Sequence, residues 1–243
     1  MNKHQDITKD TNKKTARIVG ILYIIGTAAG VMSVVLTQSL LNAPDLLGNV
    51  STNQNQLIIG SLLVLIMGLA LALVAVTLYK ILKKQNETLA LGYLVFRGAL
   101  ETVIYIAIVI TWLFLVIVSR EYLKAGTPDA SQFQTLGTVL LNGNNVIGTI
   151  LGIVFSLGAL MLYYVFWRSK LIPRWISGWG FFAIILHLST NFFIMFDITS
   201  SASTVTTVMN LPIGLQEMVM AVWLIVKGFN PTVIISGSAE KNK

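Results

Sequence analysis

Cysteine is absent from this sequence, and acidic residues and histidines are scarce: ten Asp and Glu and two His among 243 residues. The missing cysteines exclude disulfides, thiolate nucleophiles and cysteine metal sites. The two histidines are His4, in a polar amino-terminal stretch, and His187, inside an apolar run. So separated, they offer no histidine metal site, and neither a metal nor a cofactor is expected. Charge is low as well, at 11% of residues, where a soluble domain carries about 25%. Such a chain lacks the polar surface to face water on all sides. Motifs are also missing. There is no glycine-rich phosphate loop with its lysine, no paired-histidine zinc helix and no nucleophile elbow, and no Ser, His and acid share a triad spacing. An enzyme is therefore the less supported class.

What the chain does have is continuous apolar sequence. Hydrophobic residues make up 55% of it, and mean hydropathy is +0.76. Six runs, at 18–41, 57–82, 89–118, 145–167, 175–196 and 205–229, reach or exceed the roughly 20 residues that cross the bilayer's hydrocarbon as a helix. Unbroken apolar character, without period-2 alternation, favours helices over a barrel. The expectation is an all-α protein, a polytopic transmembrane helical bundle spanning 17–230, with short tails at 1–16 and 231–243. The first run is too long for the core of a signal peptide and more runs follow it, so it reads as a retained span.

Net charge is +7 and the pI about 9.7. The basic residues sit in clusters between runs, with no basic stripe interleaved with aromatics, so nucleic acid is not an expected partner. Lys3, Lys9, Lys13, Lys14 and Arg17 precede the first run; Lys80, Lys83 and Lys84 follow the second. Arg168, Lys170 and Arg174 separate the fourth from the fifth, and Lys227, Lys241 and Lys243 follow the sixth. The opposite side holds only Arg120 and Lys124, and Arg97 lies within a run. By the positive-inside rule the rich side is cytoplasmic, with both termini there and an even number of spans. The expected location is a cell membrane, the lipid bilayer being the first partner.

The large outer loop, 119–144, contains Thr127-Pro128-Asp129, which reads as a helix start with Thr as N-cap and Pro at the first helical position. Residues 130–141 are then either a short surface helix or an extension of span four. Asn142, Asn144 and Asn145 around Gly143 read as a turn or cap. Gly26 and Gly30 in span one, and Gly148, Gly152 and Ser156 in span four, give small residues at four-residue spacing. They suit close helix packing within the bundle or a face for a homo-oligomer.

The informative residues are the polar ones inside the runs. Arg97 and Glu101 in span three are four apart and share a helix face, as do His187 and Asn191 in span five; Gln216 and Glu217 follow Pro212 in span six. Counted inward at 1.5 Å per residue, Arg97 lies roughly 12 Å from Leu89 and Glu101 roughly 18 Å, Glu217 roughly 15 Å from Lys227, and His187 roughly 17 Å from Ile176. All four fall in one slab on the cytoplasmic side of the midplane. A lone charge there costs on the order of 3 kcal/mol or more, so partners are expected. We therefore expect a polar cluster of Arg97, Glu101, His187, Asn191 and Glu217, with Arg97 bridging both glutamates through its forked guanidinium and His187 hydrogen-bonding beside it. Two readings stay open. The cluster binds or moves a small molecule, a lipid or a proton, or it is a buried lock that fixes helix packing in a structural or accessory membrane protein. Pro212 either kinks or unwinds span six near Glu217, or lies in the first turns of a straight helix.

The stretch Tyr163-Tyr164-Val165-Phe166-Trp167-Arg168-Ser169-Lys170-Leu171-Ile172-Pro173-Arg174-Trp175-Ile176-Ser177-Gly178-Trp179-Gly180 and the last run, with Leu215-Gln216-Glu217 and Ala221-Val222-Trp223-Leu224-Ile225-Val226-Lys227-Gly228-Phe229, resemble a known membrane family. Ala16-Arg17-Ile18-Val19-Gly20-Ile21-Leu22-Tyr23 and Arg97 fit it too. The family is the one catalogued as domain of unknown function 4386. The resemblance covers about 15–230 and implies a multi-span protein of a bacterial plasma membrane, by the family's usual source; Arg97 and Glu217 resemble family positions. It implies no activity.

Overall fold

The computed structural model describes residues 3–124, 130–201 and 203–233, and the side chains from residue 11 onward. Among the described residues there is no strand, and helices joined by short turns make up the chain. Helix α1 (Lys3–Leu41) is followed by a short α2 (Leu46–Thr52) and a long α3 (Gln54–Leu82). Helix α4 (Glu87–Tyr93) runs through a π-helical turn (Leu94–Leu100) into α5 (Glu101–Lys124), and α6 (Ala130–Ser169), α7 (Arg174–Met195) and α8 (Thr204–Val226) complete the chain. Six of these rods are long and apolar enough to cross a membrane: α1, α3, the α4–α5 rod, α6, α7 and α8. The expected all-α architecture with six such helices is present.

The six rods form a closed ring. Helix α1 packs on α3, α3 on α5, α5 on α6, α6 on α7, α7 on α8, and α8 returns to α1. Outward-facing apolar side chains such as Val103, Phe182 and Val222 are more than half exposed, a surface that suits hydrocarbon rather than water. The tightest closure is between the first and last rods. A Cβ on Gly20 would stand 2.5 Å from the Ala221 carbonyl oxygen and 2.7 Å from Ile225 Cγ1. Only glycine lets these two backbones approach so closely.

Local structure departs from the sequence reading in three places. Helix α1 begins at Lys3, well before the apolar run, and its buried Ala16 lies beside Gly228 after α8. Packing against the far end of the chain thus carries the helix into the segment read as a tail. Second, Asn142, Asn144 and Asn145 form no turn or cap: α6 runs through them unbroken, and 130–141 extends span four. Here α2 overrides weak local propensity, with Leu47 packed against the flat face left by Gly137. Third, α2 itself was not anticipated; Asp45 caps it, its carboxylate accepting the Gly48 N–H at 3.1 Å. Pro212 lies inside α8, which continues through it. The Thr127-Pro128-Asp129 helix start lies outside the described residues.

The small-residue pairs face neighbours within the chain. Gly26 meets Leu71 and Gly30 meets Met67 on α3, while Gly152 meets Asn191 on α7. Gly148 has open space beside it. Two substitutions therefore diverge. Gly20→Val should wedge α1 from α8 and cost about 1–3 kcal/mol by overpacking. Gly148→Ala should stabilise, by up to about 1 kcal/mol, through its lower chain entropy in a helix. Thermal unfolding in detergent measures both, and equal effects would contradict this packing.

Candidate functional site

The site begins with the π-helical turn. There the Glu101 N–H reaches back to Phe96 O, one residue further than in an α-helix. Such a bulge re-aims the side chains around it and is frequent at functional positions. Arg97, within this turn, and Glu101, just after it, both point into the ring and are 3% and 1% exposed. Arg97 Nη1 donates to both oxygens of Glu101, at 3.0 and 3.1 Å. Arg97 Nη2 donates to Glu217 Oε1 at 3.1 Å, crossing from span three to α8. The guanidinium also lies over Phe155, 4.7 Å from the ring centre, and 5.9 Å from that of Tyr23. Flat, delocalised and weakly hydrated, it is well suited to such a position. The expected bridge between Glu101 and Glu217 is present as geometry.

His187 is placed differently from the expectation. It makes no hydrogen bond to the arginine. Its Nδ1 lies 3.1 Å from Ser156 Oγ and 3.3 Å from Asn191 Nδ2. Phe155 touches both, edge-on to His187 with ring centres 5.0 Å apart and face-on to Arg97. The aromatic ring takes the contact that a hydrogen bond was expected to make. Asn191 donates to the His187 carbonyl at 2.8 Å and fits against Gly152. It braces the histidine and does not line the cavity described below.

Four buried tyrosines were not singled out from sequence. On the basic side of the arginine, the Tyr23 and Tyr93 hydroxyls lie 3.2 Å apart. Tyr163 donates to Gln216 Oε1 at 2.7 Å, and Gln216 Nε2 donates to Ile176 O at 3.1 Å. Tyr23, Tyr93, Tyr163 and Gln216 are at most 1% exposed and form a sealed floor. On the other side, Tyr105 stands by Glu101. The depth count applied to ionisable residues would have found the floor, since Tyr23, Tyr93 and Tyr163 each lie about one helical turn inside a span end on the basic side.

Above that floor is a cavity of about 490 Å³ reached by residues of all six rods. Its polar end carries Arg97, His187 and Glu217; Asn210 lines it about two helical turns from Glu217 along α8, and its apolar wall includes Val31 and Val35 of α1. Those two valines are 57% and 72% exposed, so the cavity borders the outer, lipid-facing surface. Two buried polar atoms of its lining residues have no hydrogen-bond partner among the described residues: Arg97 Nε and Asn210 Oδ1. Only one oxygen of Glu217 is hydrogen-bonded. Among the described residues no group of His, Asp or Glu is arranged to hold a metal ion.

Of the residues quoted for the family resemblance, Tyr23, Tyr163 and Gln216 lie in this floor, Arg97 and Glu217 in the bridge, and 167–175 form the basic turn; Tyr93 and Glu101 are not among them. A model of the family described as domain of unknown function (DUF4386) matches residues 18–228. The chain belongs to that family. No curated protein and no solved structure matches it. The DUF4386 match spans all six apolar rods, and the chain is an integral membrane protein.

The bridge gives a direct stability test. Glu217→Gln keeps an acceptor but removes charge beside a buried guanidinium, a loss of about 1–3 kcal/mol. Arg97→Met should cost more, about 3–5 kcal/mol, because it strands two carboxylates in a low-dielectric interior. Glu121→Gln, which breaks an exposed pair with Lys124, should leave the melting temperature in detergent unchanged. Equal effects of Glu217→Gln and Glu121→Gln would contradict a buried bridge.

Proposed function

We propose that the protein binds a small amphipathic molecule taken from the bilayer, its polar group at Glu217 and its apolar body along α1. The observation that carries this reading is the cavity itself, which joins the Glu217 carboxylate, with one oxygen not hydrogen-bonded, to an apolar wall at the lipid-facing surface. Its size lies within the range of small-molecule sites, about 300–1,000 Å³. The bridge holds two carboxylates for one guanidinium, and a free Glu217 oxygen and Asn210 Oδ1 are acceptors. A ligand bearing a positive or hydrogen-bond-donating group, such as a primary amine, complements them. The sealed tyrosine floor supports binding or sensing over an open pore. The basic clusters support placing both termini on the cytoplasmic face of a cell membrane.

Gly214 provides the test, because it lines the cavity and has open space where a Cβ would go. Radiolabelled dodecylamine should bind the purified protein saturably, and dodecanoate should not. Gly214→Leu should abolish that binding while melting at or above the wild-type temperature. Absence of saturable binding to wild type, or undiminished binding to the variant, would overturn the proposal. For topology, reporters active only in the cytoplasm should work when fused at either end; one silent end would refute the even count.

A second reading, that the charges only lock α8 to span three, is favoured by the pairing of both terminal guanidinium nitrogens. It predicts the stability losses given for the bridge but no saturable ligand.

A further inference from the structure

The basic end of the bundle carries a second cavity, of about 620 Å³, between the α6–α7 turn and the segment after α8. Its rim includes Lys170, Arg174 and Lys227. All three are exposed, and none has an ion-pair partner among the described residues. Arg174 lies over the Trp167 ring, 5.5 Å from its centre, as Lys83 of the other basic turn lies over Tyr79, but Lys83 also pairs with Glu87 at 3.8 Å.

The backbone that presents these cations is pinned. Lys170 is held in the left-handed region at φ 59°, a conformation unusual for a residue with a Cβ. Ser169 Oγ accepts the Leu171 N–H at 3.3 Å, and Leu171 O accepts the Asn230 N–H at 2.9 Å. Leu171 and Ile172 are buried beneath. Three like charges are therefore gathered around one cavity with no carboxylate paired to them among the described residues, an arrangement that favours an anion.

The cavity does not stand alone. Trp223 and Lys227 are shared with a groove of about 420 Å³, whose other lining residues, Met218, Val219, Val222 and Val226, are all apolar. Val222 and Val226 are 54% and 61% exposed, on the lipid-facing side of α8. Trp175 stands edge-on to Trp223, ring centres 6.5 Å apart, as aromatic pairs do where hydrocarbon meets headgroups. A cationic pocket at that level, continuous with an apolar groove leading into the membrane, matches an anion that carries an acyl chain.

We propose that this is a binding site for an anionic phospholipid, its phosphate held by Lys170, Arg174 and Lys227 and one acyl chain laid along Val219, Val222 and Val226. Free phosphate satisfies the cations but leaves the groove unused. The site is independent of the central cavity.

The experiment compares thermal unfolding of the purified full chain in detergent with added phosphatidylglycerol, phosphatidylcholine or inorganic phosphate. Phosphatidylglycerol should raise the melting temperature by several degrees, and the other two should do so by less than half as much. An equal shift from phosphatidylcholine would overturn the role of charge, and an equal shift from inorganic phosphate would overturn the lipid. The variant K170Q/R174Q/K227Q should lose most of the phosphatidylglycerol shift, while K80Q/K83Q/K84Q keeps it; an undiminished shift in the first variant would overturn the site. Native mass spectrometry of the wild type, which needs no variant to fold, should retain phosphatidylglycerol in preference to phosphatidylcholine. Absence of that preference would also overturn the proposal.

Discussion

A buried guanidinium organises this molecule. Arg97 sits where an unpaired charge is costly, and its own helix supplies only one counter-charge, Glu101. The other comes from Glu217, 120 residues later, on a rod that is not its neighbour in the ring. The long arginine side chain therefore reaches across the interior, and α8 has to dock with Glu217 facing inward for that charge to be met. Removing one partner leaves a buried ion exposed to low dielectric, which is why a pair that adds little when whole is so destabilising when broken.

That reach divides the interior into two unlike halves. On the basic side, tyrosines and Gln216 satisfy one another and close the space. On the other side α1 and α8, pressed together at Gly20 and Ala221, leave between them a cavity that borders the hydrocarbon. Phe155 belongs to both halves, covering the guanidinium with its face while its neighbour Ser156 holds His187. The π-helical turn lies at the same division, with Arg97 within it and Glu101 just after it. Polar groups left unpartnered beside an apolar wall are a costly feature in a low-dielectric interior, and a ligand's polar end is one way to offset that cost.

The basic end is a separate device. Its turn is anchored by buried Leu171 and Ile172 and by the hydrogen bond from Asn230, so its three cations are fixed relative to the bundle. The aromatic pair of Trp175 and Trp223 sits at the same level. The phospholipid site proposed at this end depends on those cations and not on the central cavity.

Much of the fold was legible in the amino-acid order. Uninterrupted apolar runs of the right length define membrane-spanning helices because the bilayer leaves backbone groups no other partner. Depth counting brought Arg97, Glu101 and Glu217 together because helical rise is nearly constant. Less visible was anything set by contact between distant segments. Packing of Leu47 on Gly137 carried α6 through Asn142, Asn144 and Asn145, and packing at Gly228 drew α1 back into its polar start. Depth also placed His187 in the right slab but not in the right hydrogen bond, for it says nothing of rotation about a helix axis, and Phe155 took the place beside the arginine. The sequence by itself determined the spans and the level at which the charges meet, since both follow from hydrophobicity and rise along single helices. Only the tertiary structure decided which faces turn inward, and with them the tyrosine floor, the cavity and the basic pocket, because those depend on how separate helices rotate and pack against one another.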